Sequence, residues 1–248
     1  MVKCIAHRGW SSKAPENTMA AFELALNEPK IDGLELDVHL TKDGVPVVIH
    51  DHTVDRTTDG HGLVKNFTAE ELKELDAGSW FGDSFAGERI LLLEEVLQKV
   101  KDHKYITIEM KQRRNMYNGL EEKLIRVLRE YDMVNQVLVG SFDHTSIKKI
   151  KELEPSLETG LIFMSHPTLI IEQLAYTGAN HIMMYHEMIT KELVNMLKDH
   201  NYSIGVWTVD KATAVRRLYD IDPELAITTN RPDVLFQTVD AVTEMGQS

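Results

Sequence analysis

Two histidines stand where apolar runs stop. Cys4-Ile5-Ala6 gives way to His7-Arg8-Gly9, and the run Val45–His50 ends in a second imidazole. Imidazole titrates near neutral pH, so two such groups beside one reacting bond make a general acid and base pair. A lone histidine at a strand end is more commonly a satisfied structural group, so the case for chemistry rests on what else the chain sends to the same place. In Leu34-Glu35-Leu36-Asp37-Val38 the side chains of an extended segment alternate, which puts Glu35 and Asp37 on one face. Two carboxylates side by side in a buried strand repel each other and require a cation, a proton or water. Ile106-Thr107-Ile108-Glu109-Met110-Lys111 repeats the pattern, with Glu109 and Lys111 on the polar face. A solvated sheet face laced with ion pairs such as Glu109–Lys111 would account for either strand alone. Both strands together, beside the histidines, favour an all-oxygen site for a hard divalent cation, Mg²⁺ or Ca²⁺, with Mn²⁺ also acceptable. Arg8 and Lys111 add anion-binding groups at the same end. A cation, two cationic side chains and two histidines around one mouth suit a phosphate ester better than a sugar or an amide.

The elements that must position these residues alternate along the chain. Strands are expected over Cys4–His7, Gly33–Val38, Val45–His50, Tyr105–Lys111, Val137–Ser141, Thr159–Phe163, His181–Met184, Ser203–Thr208 and Ala226–Thr229. Helices are expected near Met19–Asn27, Leu92–Lys101, Leu120–Tyr131, His144–Leu153, Thr168–Tyr176, Thr190–Asp199, Lys211–Tyr219 and Asp233–Met245. Such alternation argues for βαβ units and a parallel sheet. The strand candidates exceed an eightfold barrel by one. Lys42-Asp43-Gly44 is a tight hairpin turn, too short for a parallel crossover, so Val45–His50 reads as a returning antiparallel strand. Its register brings His50 back level with Glu35 and Asp37. Eight parallel strands then remain, and 248 residues match the usual TIM (β/α)8 barrel of about 250. An open doubly wound sheet is the alternative, but Gly60-His61-Gly62 lacks the third glycine of a phosphate loop. Residues 51–89, rich in glycine and with a helix-like Ala69–Leu75, read as a small insertion above the mouth of a single domain spanning 1–248. Pro15-Glu16-Asn17-Thr18 is a helix start with Asn17 or Thr18 as cap, and Glu16 is placed to steady Arg8.

Composition narrows the partners. The formal charge of −12 argues against nucleic acid or an anionic membrane, both of which reward a basic face, and Lys111-Gln112-Arg113-Arg114 is too short a basic run to change that. Hydrophobic residues at 43% supply a sizeable core. The one cysteine, Cys4, permits no intrachain disulfide. The N-terminus reads directly into a strand with no charged-then-apolar leader, and no apolar run approaches the roughly 20 residues that span a bilayer. A soluble cytoplasmic protein without stable membrane insertion is the expectation, and the sequons at Asn66 and Asn201 are then chance matches. Nothing in the sequence speaks to oligomeric state.

The ordered set of motifs resembles the glycerophosphodiester phosphodiesterase family. It runs through His7-Arg8-Gly9, Pro15-Glu16-Asn17-Thr18, Glu35-Leu36-Asp37-Val38, Thr41-Lys42-Asp43-Gly44, His50-Asp51, Arg56-Thr57-Thr58, Leu93-Glu94-Glu95-Val96-Leu97, Glu109-Met110-Lys111, Ser141-Phe142, Val206-Trp207-Thr208-Val209 and Thr229-Asn230-Arg231-Pro232. Each motif is weak alone; the set, in order over nearly the whole chain, is specific. The resemblance implies a TIM barrel with a small insertion after His50-Asp51, and metal-dependent hydrolysis of glycerophosphodiesters to glycerol 3-phosphate and an alcohol. By motif match, His7 and His50 would be acid and base, and Glu35, Asp37 and Glu109 would hold the metal. Arg8 and Lys111 would contact phosphate, Trp207 would line the glycerol end, and Phe142 would wall the pocket, with Glu16 and Asn17 in support. The glycerol hydroxyl next to the phosphate would attack first and water would then open a cyclic phosphate; direct attack by water is the other route. One departure is Arg89-Ile90-Leu91-Leu92-Leu93, where such enzymes usually read Arg-Ile-Pro-Thr-Leu, which implies a changed loop shape and not lost chemistry. Competing readings are a lysophospholipid-directed phosphodiesterase with Trp80, Phe81 and Phe85 lining an apolar groove, a zinc amidohydrolase-type barrel suggested by His50-Asp51-His52, and a phosphoester-binding protein without turnover. The leaving alcohol is not written in the motifs.

Overall fold

A computed structural model of the chain describes residues 2–245. Its strands are β1 (Lys3–His7), β2 (Gly33–Leu40), β3 (Pro46–Val48), β4 (Leu91–Leu92), β5 (Tyr105–Met110), β6 (Val137–Ser141), β7 (Glu158–Phe163), β8 (His181–Tyr185), β9 (Ser203–Trp207) and β10 (Ala226–Thr229). The helices are α1 (Met19–Leu26), α2 (Ala69–Glu74), α3 (Leu93–Val100), α4 (Leu120–Glu130), α5 (His144–Leu153), α6 (Ile170–Thr177), α7 (Lys191–Asp199), α8 (Ala212–Ile221) and α9 (Pro232–Met245). β1, β2 and β5 to β10 pair in parallel, and the β1–β2 and β1–β10 pairings close them into a ring. This is a TIM barrel. β3 and β4 stand outside the ring as an antiparallel extension of β2.

Alternation along β2 explains the layering. Leu34, Leu36 and Val38 are wholly buried in the main core cluster, together with α3 residues Val96 and Leu97 and α4 residues Leu120 and Leu124. Glu35 and Asp37 point the other way, to the barrel interior, where they are just as buried. A second, small cluster joins Leu138, Ile162 and Met183, with Tyr105 and Trp207 packed against it. Several helices start at a side-chain cap: Thr18 on Ala21 N–H for α1, Asp143 on Ser146 N–H for α5, and Thr190 on Leu193 N–H for α7. α6 begins at Ile170, later than the sequence suggested, because Leu169 is left-handed at φ 55° and interrupts the helix.

Where the resemblance calls for Pro-Thr, Leu91 and Leu92 form β4 and pair with Val48 and Val47. Leu92 has no side chain able to cap α3; instead its N–H is taken by the Glu95 carboxylate at 2.8 Å, half of a capping box. Between β3 and β4 the chain makes a separate excursion with its own apolar cluster of Val47, Ile49, Val54, Val64, Leu72, Ala77 and Ile90. Trp80, Phe81 and Phe85 pack edge-on against one another there, with Trp80 Nε1–H donating to the Ala77 carbonyl.

Candidate active site

Register assembles the site. In the barrel His7 lies opposite Glu35, and Asp37 lies opposite Glu109. In the hairpin Val38 pairs with Val48, and Ile49 N–H donates to the Asp37 carbonyl at 3.1 Å, so His50 follows directly onto the Glu35–Asp37 level. The residues named from sequence therefore meet at the carboxyl ends of the strands, the end at which TIM-barrel enzymes do their chemistry.

Glu35, Asp37 and Glu109 each offer a carboxylate oxygen within 4.8 Å of the others, and this is the group among the described residues able to hold a metal ion. His50 and His52 do not join it, which leaves the zinc pair without its further ligands. The chain's own cations sit against two of the carboxylates. Lys111 Nζ is 2.9 Å from Asp37 and 2.6 Å from Glu109, and Arg8 Nε is 3.2 Å from Asp37. The Glu109–Lys111 ion pair considered from sequence is thus present, but inside the cluster and not on a solvated face. Burial alone would raise the Asp37 carboxyl; Lys111 and Arg8 outweigh it and hold Asp37 far below the usual range. Glu35 lacks a close ion pair. Burial, then the Asp37 charge, holds it well above the usual range. Three hard oxygen donors with one carboxylate left uncompensated fit a divalent cation better than the side chains alone.

Arg8 is left-handed at φ 57°, which aims its N–H at Glu35 Oε2, 3.0 Å away. Its Nη1 donates to Glu16 at 2.8 Å, as anticipated. Asn17, also left-handed at φ 58°, donates from Nδ2 to Asp37 at 2.9 Å; Thr18, not Asn17, caps α1. Gly9 at φ +78° lets the chain turn against α1, where Ala21 leaves no room for a side chain.

The two histidines are held from different sides. Asn230 donates from N–H and Nδ2 to the Asp210 carboxylate at 2.8 and 2.7 Å, so its amide oxygen faces His7 Nδ1 at 2.7 Å. His7 Nδ1 must then carry the proton, and Nε2, 3.8 Å from Glu35, is bare in the neutral ring. Burial first, then Arg8, lowers His7 to about 4. His50 Nδ1 donates to Asp51 at 2.6 Å, and Arg56 clamps Asp51 at 2.8 Å and Glu16 at 2.8 Å. Burial lowers His50 too, with Asp37 working against the shift. Asn230, Asp210, Asp51 and Arg56 were assigned no role from sequence, although three of them fall inside the matched motifs.

Phe142 and Trp207 meet edge to face with centroids 5.7 Å apart, and Tyr185 tilts against Trp207 at 5.8 Å. Phe142 is 47% exposed, unusual for its size, and shares a groove of about 710 Å³ with Glu109, Lys111, His52, Arg113 and His144. No helix among the described residues is long and apolar enough to cross a membrane.

Fold and site together define a class: a β/α-barrel hydrolase of phosphoric diesters. The glycerophosphoryl diester phosphodiesterase family model matches residues 7–234. The glycerophosphodiester phosphodiesterase of Caldanaerobacter subterraneus subsp. tengcongensis is 43% identical over 236 residues, covering 95% of this chain and 96% of that one. That of Bacillus altitudinis is 37% identical over 238 residues, covering 94% and 96%. Among solved structures, an Oleispira antarctica phosphodiesterase in complex with the product sn-glycerol-3-phosphate superposes with a TM-score of 0.89 at 28% identity, covering 96% of each chain. The chain belongs to the glycerophosphoryl diester phosphodiesterase family, an enzyme family that is generally dependent on a divalent metal.

Proposed function

We propose that the barrel mouth hydrolyses glycerophosphodiesters to sn-glycerol 3-phosphate and an alcohol, with one Mg²⁺ or Ca²⁺ held by Glu35, Asp37 and Glu109. The observation that carries this is the register that sets His7 level with Glu35 and Asp37 level with Glu109. The product named for the Oleispira antarctica structure supports the glycerol 3-phosphate half. When bound, the cation supplies Lewis-acid polarisation of a phosphoryl oxygen.

The side chains do the rest. Arg8 and Lys111 lie where they neutralise the phosphodiester charge, and Phe142 with Trp207 walls the glycerol end. His7, neutral with a bare Nε2, takes the proton from the glycerol hydroxyl next to the phosphate. That oxygen bonds to phosphorus as the bond to the alcohol breaks. His50, whose imidazolium Asp51 stabilises, gives the departing oxygen its proton. Water then enters with the two histidines in exchanged roles and opens the cyclic phosphate.

The test is release of glycerol 3-phosphate from glycerophosphocholine by metal-stripped protein, with Mg²⁺, Ca²⁺, Mn²⁺ or Zn²⁺ added in turn. Mg²⁺ or Ca²⁺ should restore turnover, and His7→Ala and His50→Ala should each lower it by about 10² to 10⁴. Near wild-type turnover in either variant would overturn the acid/base assignment; recovery with Zn²⁺ alone would overturn the oxygen-ligand site.

A further inference from the structure

One buried cluster beside the site takes no part in that reaction. His39 follows Asp37 by two residues on β2, on the same face of the strand, and none of its surface is exposed. A fully buried imidazole needs partners for both nitrogens. Its Nε2 lies 3.0 Å from the backbone carbonyl of His50, and its Nδ1 lies 2.6 Å from the Tyr117 hydroxyl. A carbonyl only accepts, so Nε2 carries the proton. Nδ1 is then the acceptor, and the Tyr117 hydroxyl donates to it. Tyr117 is itself 3% exposed and is fixed by a reciprocal backbone pair with the Gln112 side chain, at 3.0 and 2.8 Å. The His52 ring closes the cluster, edge-on to His39 at 5.0 Å and stacked over Tyr117 at 6.5 Å.

The hydrogen-bonded chain runs in one direction, from the segment that follows Glu109 and Lys111, through Tyr117 and His39, to the main chain of His50. It matters because the β3 ladder stops short of that residue: Ile49 N–H to the Asp37 carbonyl is its final rung. Beyond that rung the side chain of His50 is tied to Asp51, but its backbone leans on His39.

We propose that His39, oriented by Tyr117, is a positioning residue that sets the main chain of His50 and thereby the reach of its imidazole into the mouth. The proposal rests on the reading of His50 as a proton-transfer group. A shift of about 1 Å in such a group costs on the order of 10² in rate, and loss of an outer hydrogen bond on a site residue about 10 to 100-fold. Among the described residues no hydrogen bond or ion pair joins His39 or Tyr117 to the carboxylate cluster or to the phosphate-binding side chains.

His39→Leu, His39→Gln and Tyr117→Phe are compared with the wild type in Mg²⁺ on glycerophosphocholine, with thermal midpoints measured alongside. Glutamine places its amide nitrogen near the position of Nε2 and keeps a donor to the His50 carbonyl; leucine keeps volume but no donor. We expect His39→Leu to lower kcat by about 10 to 100-fold with KM within about twofold, and His39→Gln to recover most of the loss. Tyr117→Phe, which keeps the ring, should lower kcat by about 3 to 10-fold at unchanged KM, and it carries the test if His39→Leu does not fold. Wild-type kcat in both His39→Leu and Tyr117→Phe would overturn the proposal. So would equal losses in His39→Leu and His39→Gln, or a rise of KM in step with the fall of kcat. If His50→Ala keeps its turnover, the acid/base reading fails; if His50→Ala falls while His39→Leu and Tyr117→Phe do not, only the positioning role fails.

Discussion

Lowering the pH should destabilise the protein through His39, by an amount that can be worked out. Burial lowers this imidazole from an ordinary 6.5 to about 3. In the unfolded chain it takes a proton near 6.5; in the folded protein it does not until about 3. The unfolded state therefore binds more protons across that window, and stability falls as the pH falls. At pH 5.5 an unfolded histidine titrating at 6.5 is about ten parts protonated to one, while His39 in the fold is still neutral. The ratio is worth about 1.4 kcal/mol relative to pH 7.5, at about 1.36 kcal/mol per tenfold. Other titrating groups add their own slopes, but they are shared with His39→Gln and cancel in the comparison. Urea unfolding with a chelator present, at pH 7.5 and 5.5, should show the wild type losing about 1.4 kcal/mol more than His39→Gln. Equal losses in the two proteins would show that His39 takes up a proton within the fold, and the one-way chain from Tyr117 to the His50 carbonyl would fall with it.

Two further outcomes follow from positions that frame the site. In Gly9→Ala a Cβ would stand 2.6 to 2.8 Å from the carbonyl carbon, oxygen and Cβ of Ala21, on a backbone at φ +78°; left-handed strain and overpacking together should cost about 3 kcal/mol or more in urea unfolding, and a wild-type midpoint would refute the close approach. Cys4 is 2% exposed, and burial, then Asp32, pushes its thiol well above the ordinary value, so an aromatic disulfide reagent at pH 8 should label the native protein at least about 10²-fold more slowly than the unfolded chain; equal rates would place the thiol at the surface.

Much of this was legible because side-chain alternation in a strand is strict. Once Leu34, Leu36 and Val38 are given to the core, Glu35 and Asp37 have only the barrel interior left, and the Asp43-Gly44 turn fixes where His50 returns. The same rule contained His39, on the odd-numbered face with Glu35 and Asp37, yet a histidine between Val38 and Leu40 reads equally well as one more core residue. What the sequence could not disclose was contact between distant segments. His7 and Asn230 are 223 residues apart and meet because β10 lies beside β1 at the closure of the ring. β4 escaped notice because a two-residue strand inside Ile90-Leu91-Leu92-Leu93 carries no alternation and runs into a helix start. The delayed start of α6 turned on the left-handed backbone of Leu169, a residue type that gives no warning of it.

The way the two histidines are anchored bears on the reaction proposed for them. His7 is set from the end of β10, through Asn230 and Asp210. His50 is set from the β2–β3 side, its side chain by Asp51 and Arg56 and its main chain by His39. The supports share no residue, so each imidazole keeps its orientation when the other changes protonation state, which an acid and a base working on opposite sides of one phosphorus require. Their partners also differ in charge. His7 faces a neutral amide, and with burial and Arg8 this favours the bare ring that a base needs. His50 faces a carboxylate, which offsets part of the lowering that burial imposes and so eases formation of the imidazolium that an acid needs. Arg56 bridges Asp51 to Glu16, and Glu16 in turn binds Arg8, so the group that backs His50 and the group placed to meet phosphate are braced by the same two ions. The carboxylates of Glu35, Asp37 and Glu109 lie between these two anchors, where a phosphoryl oxygen and a cation would have to meet.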